Sequence, residues 1–152
     1  NVMQAVEDLR HGKPIVMVDD YDREFEGDIV LAAETATEEN LLFAMRHARG
    51  LMCLPCTQAK LDQFNIPMMN SNGGDELGTP FATSIDAIEG ATTGMSVGDR
   101  LATIQTFLSN DSKPEAFITE AVLAANISGF LPAPKTSPTS DQFSVPIISP
   151  TI

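Results

Sequence analysis

Ten consecutive residues, Asp19-Asp20-Tyr21-Asp22-Arg23-Glu24-Phe25-Glu26-Gly27-Asp28, carry six carboxylates and one guanidinium between two apolar runs, Ile15-Val16-Met17-Val18 and Ile29-Val30-Leu31-Ala32-Ala33. Carboxylates at that density cannot be packed into a core, because each would lose its hydration without gaining a partner. The first apolar run, β-branched and headed by Pro14, reads as a short buried strand. The acidic stretch is then a loop at the carboxyl end of a strand, anchored by apolar chain on both sides. Ligands of open α/β sheets bind at such ends, and an oxygen-rich loop there can hold a hard divalent cation such as Mg²⁺ or Mn²⁺. A solvated acidic turn is the alternative. Two residues interrupt the acid and favour the ligand reading: Arg23 offers a bidentate partner for carboxylate or phosphate, and Gly27 allows close approach to backbone.

The remaining composition narrows the classes of partner. The chain has 152 residues, enough for one domain with its own core. Nine basic against 21 acidic residues give a net charge of −12, which argues against nucleic acid and against an anionic membrane surface, both of which need a cationic footprint. No apolar run approaches the length of a membrane span, and the amino end lacks a secretory pattern, so the expected compartment is the cytoplasm, with organellar import left open. The chain starts at Asn1 rather than at a Met, as expected if it belongs to a longer polypeptide. Cys53 and Cys56 form a Cys-x-x-Cys pair without a second pair or a neighbouring histidine. Because 51–54 reads as a strand and not as a helix start, the pair is expected to be two reduced thiols, one of them buried, and not a redox or zinc motif.

Read in order, residues 2–9 place apolar side chains on one helical face and stop at His11-Gly12. Thr37 is a candidate N-cap for a helix over 41–48, with Glu38 and Glu39 in its first turn and His47 in its last. A strand at 51–54 and a short helix over 58–64 follow. Residues 70–80 form a polar, glycine-rich stretch without the lysine of a phosphate-binding loop, and mobility is the expectation there. Residues 81–87 alternate as a strand. The hydroxyl-rich 90–100 stretch, Gly90-Ala91-Thr92-Thr93-Gly94-Met95-Ser96-Val97-Gly98-Asp99-Arg100, leads into a helix to Leu108. Its hydroxyls and amides either hold phosphate or cap the helix and do nothing more. Residues 116–127 read as helical. The proline-rich remainder reads as extended, with one strand at 145–148.

Two of these segments carry a resemblance. The acidic decapeptide after a Pro-Ile-Val strand, together with Thr92-Thr93-Gly94-x-Ser96-x-x-Asp99-Arg100, resembles 3,4-dihydroxy-2-butanone 4-phosphate synthase, a lyase of riboflavin biosynthesis that converts D-ribulose 5-phosphate to a four-carbon phosphate and formate. The likeness runs from Pro14 to Phe117 and takes in Arg46-His47, Gly50, Cys53 and Phe81 to Asp86; one departure is Phe25, where the family usually has Asn. The resemblance implies an α+β fold, a mixed β-sheet with helices on both faces in three α-β-α layers, built as a single domain over 1–152. It implies Glu24 as metal ligand for Mg²⁺ or Mn²⁺, Glu24 and Asp28 as catalytic groups, and Arg23, Glu24, Asp28 and Thr119 as contacts to a small sugar phosphate. It also implies a homodimer, and a fused GTP cyclohydrolase II domain as a possible partner.

The resemblance breaks after 117. Thr119-Glu120-Ala121 match the end of the family's Gly-His-Thr-Glu-Ala motif, but Ile118 stands where its second metal ligand, a histidine, is expected. The Pro-Gly-His loop and the later glutamate have no counterpart. Two explanations stand open: a degenerate relative that keeps the fold and acts as a scaffold or fusion partner, or a polypeptide of which segments between Ile118 and Thr119 are missing from this sequence.

Overall fold

The computed structural model describes residues 1–18, 27–69 and 81–119 and the backbone of Gln142–Pro146. The chain divides into two compact units, Asn1–Gly50 and Leu51–Ile152.

The first unit holds helix α1 (Val2–Arg10), strands β1 (Ile15–Val18) and β2 (Gly27–Val30), a 3-10 turn (Ala33–Thr35) and helix α2 (Glu38–His47). The first helix ends at His11, whose Nδ1 lies 2.7 Å from the Glu7 carbonyl, so this histidine finishes a helix and faces solvent as expected. Strands β1 and β2 pair antiparallel, with Val18 opposite Gly27 and Met17 opposite Asp28. The acidic stretch therefore connects two hairpin strands and does not lead from a parallel strand into a helix. A second expectation also fails here: β1 is not buried, since Val16 is 68% exposed and Met17 and Val18 are exposed with it. Apolar composition signalled a strand but not its burial: side chains alternate between the two faces of the hairpin, and a face is buried only where another element packs on it.

Helix α2 begins where Thr37 was expected to cap it. The Thr37 hydroxyl accepts from Asn40 N–H at 3.2 Å, and the Asn40 side-chain oxygen accepts from Thr37 N–H at 2.8 Å. The same asparagine is buried and donates its amide to the carbonyls of Gly12 and Thr35, at 3.2 and 3.1 Å. One side chain thus caps α2 and ties it to the turns after α1 and before α2. His47 in the last turn stacks on Phe43 with ring centroids 4.5 Å apart.

The second unit holds β3 (Cys53–Thr57), α3 (Gln58–Phe64), β4 (Ile85–Ala87), α4 (Val97–Leu108), a 3-10 turn (Pro114–Ala116), β5 (Phe117–Thr119) and β6 (Gln142–Pro146). Its core is Leu61, Phe64, Ile66, Ala82, Ile85, Phe107 and Phe117. Three of these rings form one cluster: Phe64 lies 5.2 Å from Phe107 and 4.9 Å from Phe117 in edge-on contact, and Phe107 and Phe117 are 6.2 Å apart. Aromatic pairs at these distances add about 0.5–1.5 kcal/mol each to the burial itself. Lys60 closes the cluster, its ammonium 5.2 Å from the centre of the Phe64 ring and donating to the Phe107 carbonyl.

Among the described residues every strand pairing is antiparallel and two-stranded: β1 with β2, β3 with β6, and β4 with β5. Helices and short antiparallel ladders make this an α+β chain. The helix expected over 116–127 does not start there, since Phe117, Ile118 and Thr119 form β5 opposite Ala87, Asp86 and Ile85. The ring of Phe117 is buried in the aromatic cluster, and a β-register places it there where a continued helix would not. The carboxyl-terminal strand lies at Gln142–Pro146, three residues earlier than its apolar run suggested, and pairs with β3. The 70–80 stretch lies outside the described residues.

Candidate functional site

Of the residues singled out in the sequence, Arg23 and Glu24 lie outside the described residues. Asp28 is exposed in β2, in the first unit. Thr119 is exposed at the end of β5, in the second unit, opposite Ile85. Ile118 precedes it in the same strand, paired with Asp86 and half exposed. Its hydrocarbon side chain offers no atom that could ligate a metal. Among the described residues no three His, Cys, Asp or Glu side chains converge as a metal site.

The described element of greatest chemical density is the 90–100 loop with the start of α4. Ser96 caps the helix: its hydroxyl accepts from Asp99 N–H at 3.0 Å. The Asp99 carboxylate turns back over the loop. One oxygen accepts from Thr92 N–H at 3.0 Å; the other accepts from Thr93 N–H at 3.2 Å, Ser96 N–H at 3.4 Å and the Thr92 hydroxyl at 3.1 Å. Asp99 is 4% exposed. Burial pushes its carboxyl pKa up, but the hydrogen bonds from Thr92 and Ser96 outweigh that and hold it below the ordinary carboxylate value.

Beneath the loop, Gly94 has φ +73° and is buried, and a β-carbon built on it would sit 2.5–2.7 Å from the Asp86 carboxylate. Only glycine fits there, because both the backbone region and the space exclude a side chain. Asp86 belongs to β4 and interacts electrostatically with Arg100 of α4; desolvation lowers the guanidinium pKa, and Asp86 partly restores it. Thr103 completes the contact of helix and strand, donating to the Asp99 carbonyl and accepting from Ala87 N–H, both at 3.0 Å. In the sequence, the hydroxyl-rich 90–100 stretch left capping and phosphate binding as alternatives; here Ser96 caps the helix. The family resemblance runs through Phe81 to Asp86, but nothing in the sequence signalled what Asp86 touches, a contact made by a strand placed under a loop eight residues later.

The two cysteines do not form a redox pair. Cys53 and Cys56 stand three residues apart on β3, which separates their α-carbons by about 10 Å, beyond disulfide reach. Both are half-buried and outside any disulfide, where one buried thiol was expected. Desolvation pushes the Cys56 thiol up, and Lys60 offsets part of that.

The family model for 3,4-dihydroxy-2-butanone 4-phosphate synthase matches residues 3–123, most of the chain and all of the elements just described up to β5. The chain belongs to the 3,4-dihydroxy-2-butanone 4-phosphate synthase family. A relative so named in Erwinia tasmaniensis is 43% identical over 113 residues, which is 74% of this chain and 52% of the relative. The bifunctional riboflavin biosynthesis protein RIBA 1, chloroplastic, of Arabidopsis thaliana is 43% identical over 119 residues, 77% of this chain and 22% of that protein. Among solved structures, a synthase in complex with two magnesium ions superposes with a TM-score of 0.71 at 29% identity, covering 78% of this chain and 55% of that one. A two-domain synthase from A. baumannii gives 0.68 at 36% identity, covering 79% and 35%. This synthase-family chain thus spans about half, or less, of the length of the relatives it matches. Its α+β class is the one the resemblance implied.

No helix among the described residues is long and apolar enough to cross a membrane.

Proposed function

We propose that this protein acts as a 3,4-dihydroxy-2-butanone 4-phosphate synthase, converting D-ribulose 5-phosphate to 3,4-dihydroxy-2-butanone 4-phosphate and formate with a divalent metal, Mg²⁺ or Mn²⁺. The observation that carries this is the family match over residues 3–123, which includes the acidic loop unbroken. The overall step removes one carbon as formate from a five-carbon phosphate and leaves the other four, with no oxidant or reductant required. Enolisation, loss and return of water, and skeletal rearrangement each move protons and build charge on adjacent oxygens.

The donor set fits a hard cation, since the loop offers six carboxylates and no thiol or imidazole. Glu24 would hold the metal, whose chemistry when bound is to stabilise charge on vicinal substrate oxygens. Asp28, exposed at the start of β2, is assigned to proton transfer and to a substrate hydroxyl. Arg23 and the Thr119 hydroxyl are assigned to the phosphate. In this reading the protein works in an aqueous compartment, cytoplasm or organelle, as a homodimer. Fusion to a second flavin-pathway domain, such as a GTP cyclohydrolase II, is part of the proposal; the bifunctional Arabidopsis relative lends it support.

One observation favours a second reading. Ile118, a hydrocarbon half exposed on β5, stands directly before Thr119, where the family resemblance calls for a metal-ligand histidine. A chain built so would bind metal one-sidedly through Glu24 and serve as a catalytically degenerate scaffold. Metal affinity and turnover separate the two. Glu24→Gln is expected to weaken Mg²⁺ binding at least about tenfold by calorimetry, in line with loss of a charged ligand. Unchanged affinity would remove Glu24 from the site in both readings.

A further inference from the structure

The loop at the start of α4 combines what an anion site offers, namely backbone amides, hydroxyls and a helix N-terminus. In this chain those donors are already engaged. The amides of Thr92, Thr93 and Ser96 and the Thr92 hydroxyl all point at the Asp99 carboxylate, from the other end of the same capping turn. A carboxylate has room for about four such bonds, so its capacity is filled from one side by the loop. A phosphate approaching these amides would find them taken and would face a buried anion. A second carboxylate, Asp86 of β4, presses on Gly94 from below, and Arg100 of α4 is the cation beside it.

We propose that Asp99 is a positioning residue: its carboxylate serves as the internal anion of the 92–96 loop, so this element takes no phosphate and instead holds a preset backbone against β4. The loop is then ordered without ligand, with Gly94 seated on Asp86. The proposal rests on the chain's own hydrogen bonds. Only its corollary depends on the synthase reading, namely that a substrate phosphate is held away from this loop.

The test uses amide proton–nitrogen spectra of the chain, with inorganic phosphate as the probe at neutral pH. The signals of Thr92, Thr93 and Ser96 are expected to stay in place through tens of millimolar phosphate; a saturable shift at these three would overturn the proposal. Asp99→Asn then separates positioning from general stability, because an amide group cannot accept at both former oxygens. Hydrogen exchange at Thr93 and Ser96 is expected to accelerate at least about tenfold, while Ile104 and Phe107 change less than about twofold. Equal acceleration throughout the helix, or none at the loop, would overturn it. If the variant does not fold, the phosphate titration of the unaltered chain remains decisive. Neither measurement reads turnover, so absence of synthase activity would leave this inference standing.

Discussion

At the scale of single residues, Gly94 is the described glycine with least room for a side chain. Its positive φ alone costs a side chain about 1–2 kcal/mol, and a β-carbon at 2.5 Å from a carboxylate oxygen forces Asp86 or the loop to move. Gly94→Ala is therefore expected to destabilise the second unit by about 2–4 kcal/mol in urea titration. Gly90 is the control: its φ is also positive, at +80°, but a β-carbon there meets only Ala102 at 3.4 Å, so Gly90→Ala should cost about 1 kcal/mol. Equal losses would show that space beside Asp86 is not what selects glycine. At this scale the sequence was partly legible. The hydroxyl-rich 90–100 stretch marked a helix start with capping as one of its two readings, but no local rule could report that Asp86 lies under Gly94, because that contact is made by folding β4 onto α4.

At the scale of elements, helix starts were the most legible features, since Thr37 and Ser96 act within one turn of themselves. Asn40 extends the first of these caps into a clip across three segments. Asn40→Ala leaves the Gly12 and Thr35 carbonyls without its amide, and should cost about 2–3 kcal/mol. Thr37→Ala, which removes only the cap, should cost about 1 kcal/mol; thermal melts of the two variants distinguish clip from cap. The Asp99 cap has a pH signature. Folding lowers this carboxyl's pKa, so the native state binds fewer protons than the unfolded one, and the stabilisation is present above the ordinary value of 3.8 and is lost as pH falls below it. Acid titration of the native protein should show less loss of stability in Asp99→Asn than in the parent over that window. Parallel curves would contradict the assignment. Strands were harder to read. The run 15–18 has strand composition yet lies exposed in a hairpin, and 117–119 belongs to a stretch of helical pattern yet forms a strand, because pattern alone cannot register a phenylalanine ring drawn into a distant cluster.

At the scale of the whole molecule, the acidic balance of −12 means that on the proposed function a sugar phosphate would have to be held by few cations and a metal. The family was legible because its acidic loop is short, contiguous and chemically unusual. The completeness of the site was not, since Ile118 and Thr119 bring together in one strand a departure from the family and a match to it. An intact mass of 16.3 kDa would establish that the chain carries no segment between them. If the acidic loop supports metal-assisted conversion of ribulose 5-phosphate, as proposed, formate release with Mg²⁺ present reads it out. One formate and one four-carbon phosphate per sugar consumed are expected, abolished by chelator and reduced at least about a hundredfold by Glu24→Gln. No formate from a folded protein that still binds Mg²⁺ through Glu24 would contradict it and leave the scaffold reading in its place.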